Sequence, residues 1–127
     1  MNPAAQQWAD QARYDLETAR AMQASGRFLY VLFCCQQAVE KLLKALIVAR
    51  TGEFPPRLHS LPRLAEAATV EADSIQKTFL AELSAYYIQT RYPEELDLTS
   101  AALSQAGTAE VLKQTEEITS WLLSMLK

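Results

Sequence analysis

Five polar residues in the middle of a long apolar segment form the first group that could carry chemistry. They are Gln36, Gln37, Glu40, Lys41 and Lys44. Their spacing places all but Gln36 on one face of a helix and also allows i,i+4 pairing. Charged side chains at the centre of an apolar helix must be paired or must reach a wet groove. Two interpretations follow: paired charges on a solvated surface, or a groove whose amide and ammonium groups bind a polar ligand.

A second group lies in the segment Tyr86–Pro93, where three tyrosines surround one arginine. Tyr87 and Arg91 are four residues apart and share a helix face, and Tyr92 follows where Pro93 ends the helix. The helix dipole stabilises an arginine at a C-terminus, which is a sufficient structural reason for Arg91. The same residues could also bind a phosphate through the guanidinium and a base by stacking.

The chain contains one histidine, His59, between a proline-rich linker and a short predicted helix. We interpret it as a loop residue that bonds the backbone at the start of that helix, with acid–base chemistry as the alternative. A single imidazole excludes a His-rich metal site, and the adjacent Cys34 and Cys35 lack zinc-site spacing. The sequence has no glycine-rich phosphate loop. We therefore expect no metal and no cofactor.

Length and charge limit the classes of protein to which the chain can belong. It has 127 residues, 50% of them hydrophobic, and a net charge of −3. A chain of this size buries one core, so we expect a single domain over residues 1–127. Residues 1–63 carry a net charge of +3 and residues 64–127 a net charge of −6. The negative total argues against non-specific nucleic-acid binding, although a local basic surface remains compatible with it.

Two further features indicate where the protein is found. Charged residues interrupt the N-terminal segment, and no apolar run reaches 18 residues, so we expect neither a signal peptide nor a membrane span. Neighbouring cysteines on a helix cannot readily bridge each other. The sequence therefore predicts a cytoplasmic protein.

Apolar residues recur at helical spacing along the chain, and glycine and proline separate the periodic segments. This pattern predicts an all-α fold, an up-and-down bundle of four main helices plus one short helix. The predicted helices are Pro3–Ala24, Phe28–Arg50, Leu61–Ala68, Asp73–Thr90 and Ala109–Leu126.

Helix capping and helix periodicity give more detailed expectations. Asn2, Ser60 and Thr108 are the predicted N-caps of the first, third and fifth helices. Residues 94–106 are expected to form a loop with at most one helical turn. The second helix is apolar on both sides, which predicts either a central position or contact with another subunit.

Two predicted helices also have expected inward and outward faces. Asp15 in the first helix is expected to face water. Ile75, Phe79 and Leu83 in the fourth helix are expected to point into the core.

These patterns together resemble the HEPN family over nearly the whole chain. Four stretches carry the resemblance: Trp8 with Ala12–Leu16 and Ala19, Phe33–Ala45, His59–Leu61 with Leu64, and Tyr87–Pro93. The most specific parts are the Gln-Gln-Ala-x-Glu-Lys-x-x-Lys run and Thr-Arg-Tyr-Pro. The resemblance implies a compact helical bundle, usually a homodimer. Many such proteins are encoded beside a minimal nucleotidyltransferase and bind it, and the fold has been described as its substrate-binding subunit.

Other HEPN proteins are metal-independent ribonucleases, often toxins, whose motif is an arginine followed after a short interval by a histidine. Arg91 matches this arginine, but Tyr92–Leu98 contains no histidine. The resemblance therefore supplies only Arg91 as a candidate catalytic residue and argues against an enzyme.

The sequence thus predicts a HEPN protein that acts as nucleotide-binding or partner subunit of a minimal nucleotidyltransferase, in a two-gene module of toxin–antitoxin type. We expect it to dimerise through the second apolar face of its second helix and through neighbouring helices, and to contact nucleotide or RNA. The predicted ligand- or partner-binding residues are Gln37, Glu40, Lys41, Lys44, Tyr87, Arg91 and Tyr92.

The cationic groups of the second and fourth helices are expected to converge near a twofold axis, in a pocket without a proton shuttle. Two alternatives stay open. One is a ribonuclease toxin in which Arg91 acts with Tyr92, Glu95 or His59. The other is a structural adaptor without catalysis.

Overall fold

The structure is a computed structural model that describes residues 2–92, 94 and 102–126. Its helices are α1 (Pro3–Ala24), α2 (Phe28–Thr51), α3 (Leu61–Ala67), α4 (Ser74–Gln89) and α5 (Gln105–Ser124). Within these ranges no strand occurs, and no helix is long and apolar enough to cross a membrane. The predicted all-α fold, with four longer helices and the short α3, is confirmed.

Local sequence signals fix several helix ends. The side chains of Asn2 and Ser60 each accept a backbone N–H in the first turn of α1 and α3, as predicted. Asp73 and Gln76 form a reciprocal capping box at the start of α4. α2 ends at Gly52, whose φ of 72° is a conformation that glycine adopts without steric cost.

α2 lies at the centre of the bundle and packs against all four other helices. Leu32 and Leu46 on one side, and Cys34 and Val48 on the other, are all buried within the protomer. Of the two positions that the apolar pattern allows for α2, the structure shows the central one, because the chain's own helices cover both faces. The expectation that another subunit covers the second face is therefore wrong for Cys34 and Val48, although Tyr30 on that side is 49% exposed.

α5 begins one turn earlier than predicted. Ser104, not Thr108, caps it by accepting the N–H of Gly107 at 2.9 Å. Thr108 is buried instead and donates to Oε1 of Gln23 at 2.6 Å, which links α5 to α1. Residues 105 and 106, expected in a loop, are helical. The loop predicted over 94–106 otherwise lies mostly outside the described residues.

Two side chains differ from the direction that helical periodicity predicts. Asp15, expected to face water, has a side chain only 18% exposed and lies 2.8 Å from Nζ of Lys41 in α2. Ile75, expected to point inward, is 80% exposed, since none of the described helices covers this end of α4. Phe79 and Leu83 are buried as predicted.

The turn after α3 holds a β-branched residue in the left-handed region, because Thr69 has a φ of 56°. Nη1 of Arg50 donates to the carbonyl oxygens of Ala68 at 2.6 Å and Thr69 at 3.2 Å. These bonds tie the turn to the last residues of α2. They hold Thr69 in a conformation that costs about 1 kcal/mol or more.

Replacing Thr69 by asparagine should relieve this strain, because asparagine tolerates a positive φ. We expect Thr69→Asn to raise the free energy of unfolding by about 1 kcal/mol in urea denaturation. The matched control is Thr78→Asn, the same substitution inside α4, which should not stabilise the protein. A Thr69→Asn protein no more stable than the parent would contradict a left-handed residue at this turn.

Candidate functional site

Glu40 is the centre of the candidate site and is only 5% exposed. Its carboxylate accepts from Nε2 of Gln36 at 2.9 Å and from Nζ of Lys44 at 3.2 Å, each one turn away on α2. Gln36 is 0% and Lys44 7% exposed. The predicted i,i+4 pairing of these polar side chains is therefore present. The prediction that the pairs lie on a solvated surface is wrong, because all three side chains are buried. Buried charges cost several kcal/mol each unless they are paired in this way.

His59 is the third partner of Glu40. Its Nδ1 lies 3.1 and 3.3 Å from the two carboxylate oxygens, although 19 residues separate the two positions. The expected bond to the backbone at the start of α3 is therefore replaced by a contact with a buried carboxylate. Such a contact favours a proton on Nδ1, so the neutral ring presents Nε2 as an acceptor. The side chain is 46% exposed, which leaves the ring accessible from solvent.

α4 adds an aromatic ring to this arrangement, and Arg91, which lies two residues beyond the end of α4 and not on its face as predicted, adds a guanidinium. The rings of His59 and Tyr87 stack with centroids 4.0 Å apart and an interplanar angle of 12°. Cζ of Arg91 lies 4.2 Å from the centroid of Tyr87 and 5.1 Å from that of Phe33 in α2. Both distances are within the range of cation–π contact, so the two rings restrict the position of the guanidinium. We call Glu40, Lys44, His59, Tyr87 and Arg91 the His59–Arg91 cluster.

The buried side of the cluster is closed by α1. Nζ of Lys44 lies 5.5 Å from the centre of the Trp8 ring, in addition to its ion pair with Glu40. Lys44 is therefore committed to interactions inside the bundle. Its ammonium neutralises the carboxylate and is not presented to solvent as a free donor.

The other residues predicted for the site form no hydrogen bond or ion pair with the cluster in the described part of the chain. Lys41 points towards α1, where its Nζ contacts Asp15 at 2.8 Å. Gln37 is half-buried, and Tyr92, which follows the end of α4, is 49% exposed. Within the described residues neither Gln37 nor Tyr92 makes a side-chain hydrogen bond to the cluster.

The expected convergence of cationic groups from the second and fourth helices needs correction. Lys44 and Arg91 belong to one cluster, but Glu40, His59 and Tyr87 lie between them. The expectation that no imidazole lies near these groups is wrong, because His59 contacts both Glu40 and Tyr87. Sequence periodicity could not show this contact, and the available signal was the presence of a single histidine before a helix start.

Burial keeps the two thiols in their protonated form at neutral pH. Burial raises the pKa of Cys34 to about 11, and the nearby carboxylate of Asp15 adds to the effect, while Lys41 opposes it. Burial likewise raises the pKa of Cys35 to about 12. Both groups therefore remain protonated, and a thiol is a poor nucleophile. In the described part of the chain, no three His, Cys, Asp or Glu side chains are grouped to hold a metal ion.

The geometry defines a small helical domain with a central charged helix and an arginine beyond the end of α4. The HEPN domain family matches residues 5–125, and the chain therefore belongs to this family. The resemblance seen in the sequence is confirmed. The crystal structure of TT1696 from Thermus thermophilus is similar, with a TM-score of 0.82, 27% sequence identity and 98% of each chain covered. No protein with a curated description matches the chain.

The buried ion pair gives a test of the site's construction. Replacing Glu40 by leucine leaves Lys44 charged and without its carboxylate, so we expect a loss of about 3 kcal/mol in the free energy of unfolding. The double variant Glu40→Leu/Lys44→Met removes both charges and should recover most of this loss. Urea denaturation measures both. Equal destabilisation of the single and double variants would show that the pairing of these charges does not determine the loss in the free energy of unfolding.

Proposed function

We propose that this chain is the HEPN partner subunit of a minimal nucleotidyltransferase and that the His59–Arg91 cluster binds a nucleotide. The observation that carries the proposal is the contact of the exposed Arg91 with the ring of Tyr87 at 4.2 Å. A guanidinium carries a planar fork of N–H donors, which matches the oxygens of a phosphate. The ring of His59 is half-exposed and adds a surface on which a base can stack.

A dimer would strengthen such a site. HEPN domains commonly dimerise. Two clusters related by a twofold axis would add their positive potentials at one cleft, although the chain carries a net charge of −3. The proposal accordingly includes a cytoplasmic homodimer and a gene pair of toxin–antitoxin type.

Nucleotide binding can be measured with ATP by calorimetry and by thermal shift. We expect ATP to raise the melting temperature and adenosine, which lacks phosphates, to bind at least tenfold more weakly. Arg91→Ala should weaken ATP binding at least tenfold, because the phosphate loses its bidentate donor. The matched control is Arg63→Ala, which removes an exposed arginine on α3.

Three outcomes separate the possibilities. Equal losses in both arginine variants would contradict a site at Arg91. Co-purification with a nucleotidyltransferase encoded beside the gene would support the partner role. Binding of that transferase together with no response to ATP would favour the structural adaptor.

Metal-independent RNA cleavage is a second candidate function, because His59 is held by a buried carboxylate and shares Tyr87 with Arg91. Nε2 of His59 would take the proton from a ribose 2′-hydroxyl. The freed oxygen would attack phosphorus to form a cyclic phosphate, and the 5′-oxygen would leave and take up a proton from solvent. Arg91 would stabilise the charge that develops on the phosphate.

The ribonuclease candidate predicts that expression of the chain arrests growth and that the purified protein cleaves RNA in the presence of EDTA. His59→Ala and Arg91→Ala should each lower the cleavage rate at least a hundredfold and restore growth. Arg63→Ala serves as control and should remain toxic. Normal growth with abundant wild-type protein, together with intact RNA in vitro, would eliminate this candidate.

A further inference from the structure

α4 and α5 both pack on α2 but make few contacts with each other, which leaves a groove between them. The groove has a volume of about 560 Å³. Phe79 and Ile118 form its floor, and both belong to the core, with exposures of 8% and 4%. At the end nearest the start of α4, Ile75 is 80% exposed and extends this apolar strip to the surface.

The walls of the groove are acidic. They carry the carboxylates of Glu82, Glu110 and Glu117 against the single ammonium of Lys113, a net charge of −2. The rest of the wall is polar or small. An apolar strip between negative walls is complementary to an apolar ridge flanked by positive side chains.

The length of the groove fits a helix. It is lined from Ser74 to Glu82 on α4 and from Glu110 to Ile118 on α5. Eight residues of helix rise about 12 Å, so each wall offers two turns for side chains to interdigitate. A helix placed there would lie over α2, between α4 and α5, and would complete the helical layer by packing ridges into grooves.

We propose that this groove binds a basic amphipathic α-helix of a partner protein. The occupant has apolar residues at i, i+4 and i+7 that pack on Ile75 and Phe79. Lysines or arginines beside them pair with Glu82 and Glu117. This surface lies apart from the His59–Arg91 cluster, so the inference does not depend on the proposed function.

The chemistry of the groove disfavours other occupants. Nucleotides and nucleic acids carry the same sign of charge as its walls. The chain's own segment 93–101 contains Glu94, Glu95 and Asp97 and no basic residue. It therefore has the wrong charge.

The exposed face of α1 in a second copy of this chain also fits less well. The two arginines on the exposed face of its α1 are already paired, Arg13 with Asp10 at 3.4 Å and Arg20 with Glu116 at 2.8 Å. They are therefore poor partners for the acidic walls of another protomer.

The test uses a fluorescein-labelled synthetic 14-residue helix of leucine and lysine, with leucine at i, i+4, i+7 and i+11, and fluorescence anisotropy with the full chain. A peptide of identical composition with scrambled order controls for simple charge attraction. The groove variant is Glu82→Lys/Glu117→Lys. The matched control is Glu66→Lys/Glu71→Lys, which makes the same change of net charge at exposed glutamates outside the groove.

We expect the patterned peptide to bind at least tenfold more tightly than the scrambled one. The groove variant should lose at least tenfold in affinity, and the control variant less than threefold. Equal binding of both peptides, or equal losses in both variants, would overturn the proposal. Light scattering adds a further outcome: a wild-type dimer that the groove variant alone dissociates, with no peptide binding, would assign the groove to a second copy instead.

Discussion

The burial of the Glu40 carboxylate is the constraint on which the rest of the structure depends. α2 is central, so a charge in its middle has no access to solvent and must be matched by the chain itself. Lys44 and Gln36 supply two partners from the same helix, and His59 supplies a third from the linker. His59 in turn stacks on Tyr87, so the need to pair the Glu40 carboxylate also constrains α4. A single buried charge thereby ties the linker to the core, beside the packing of Leu58.

α4 serves two surfaces of opposite character. Its last residues bring Tyr87 and the nearby Arg91 to the cluster beside α2, where the exposed charge is positive. Closer to its N-terminus, α4 contributes Phe79 and Glu82 to the acidic groove beside α5. The uneven charge along the sequence therefore does not correspond to a basic half and an acidic half of the molecule. A cationic site and an anionic groove can coexist because they lie towards opposite ends of α4.

Helix positions could be predicted from sequence because periodicity, caps and glycine act locally. The start of α5 shows the limit: Ser104 and Thr108 both carry a capping hydroxyl, and only tertiary contact with Gln23 shows that Thr108 is an interior residue. The site was less predictable. Lys41 and Lys44 are neighbours on the same face, yet one pairs with α1 and the other with Glu40. Helical spacing identifies the face and does not decide which partner each charge meets.

The position of Arg91 shows how burial at one place prepares chemistry at another. The helix dipole alone would favour a cation near the end of α4 but would not restrict its orientation. Contact with the rings of Tyr87 and Phe33 does restrict it, and Tyr87 is itself held by His59. Since His59 is fixed by Glu40, the orientation of the guanidinium is ultimately set by the core. A donor that is ordered before it meets an anion loses less conformational entropy on binding, so in the proposed nucleotide site the buried carboxylate would favour binding at a surface that it does not touch.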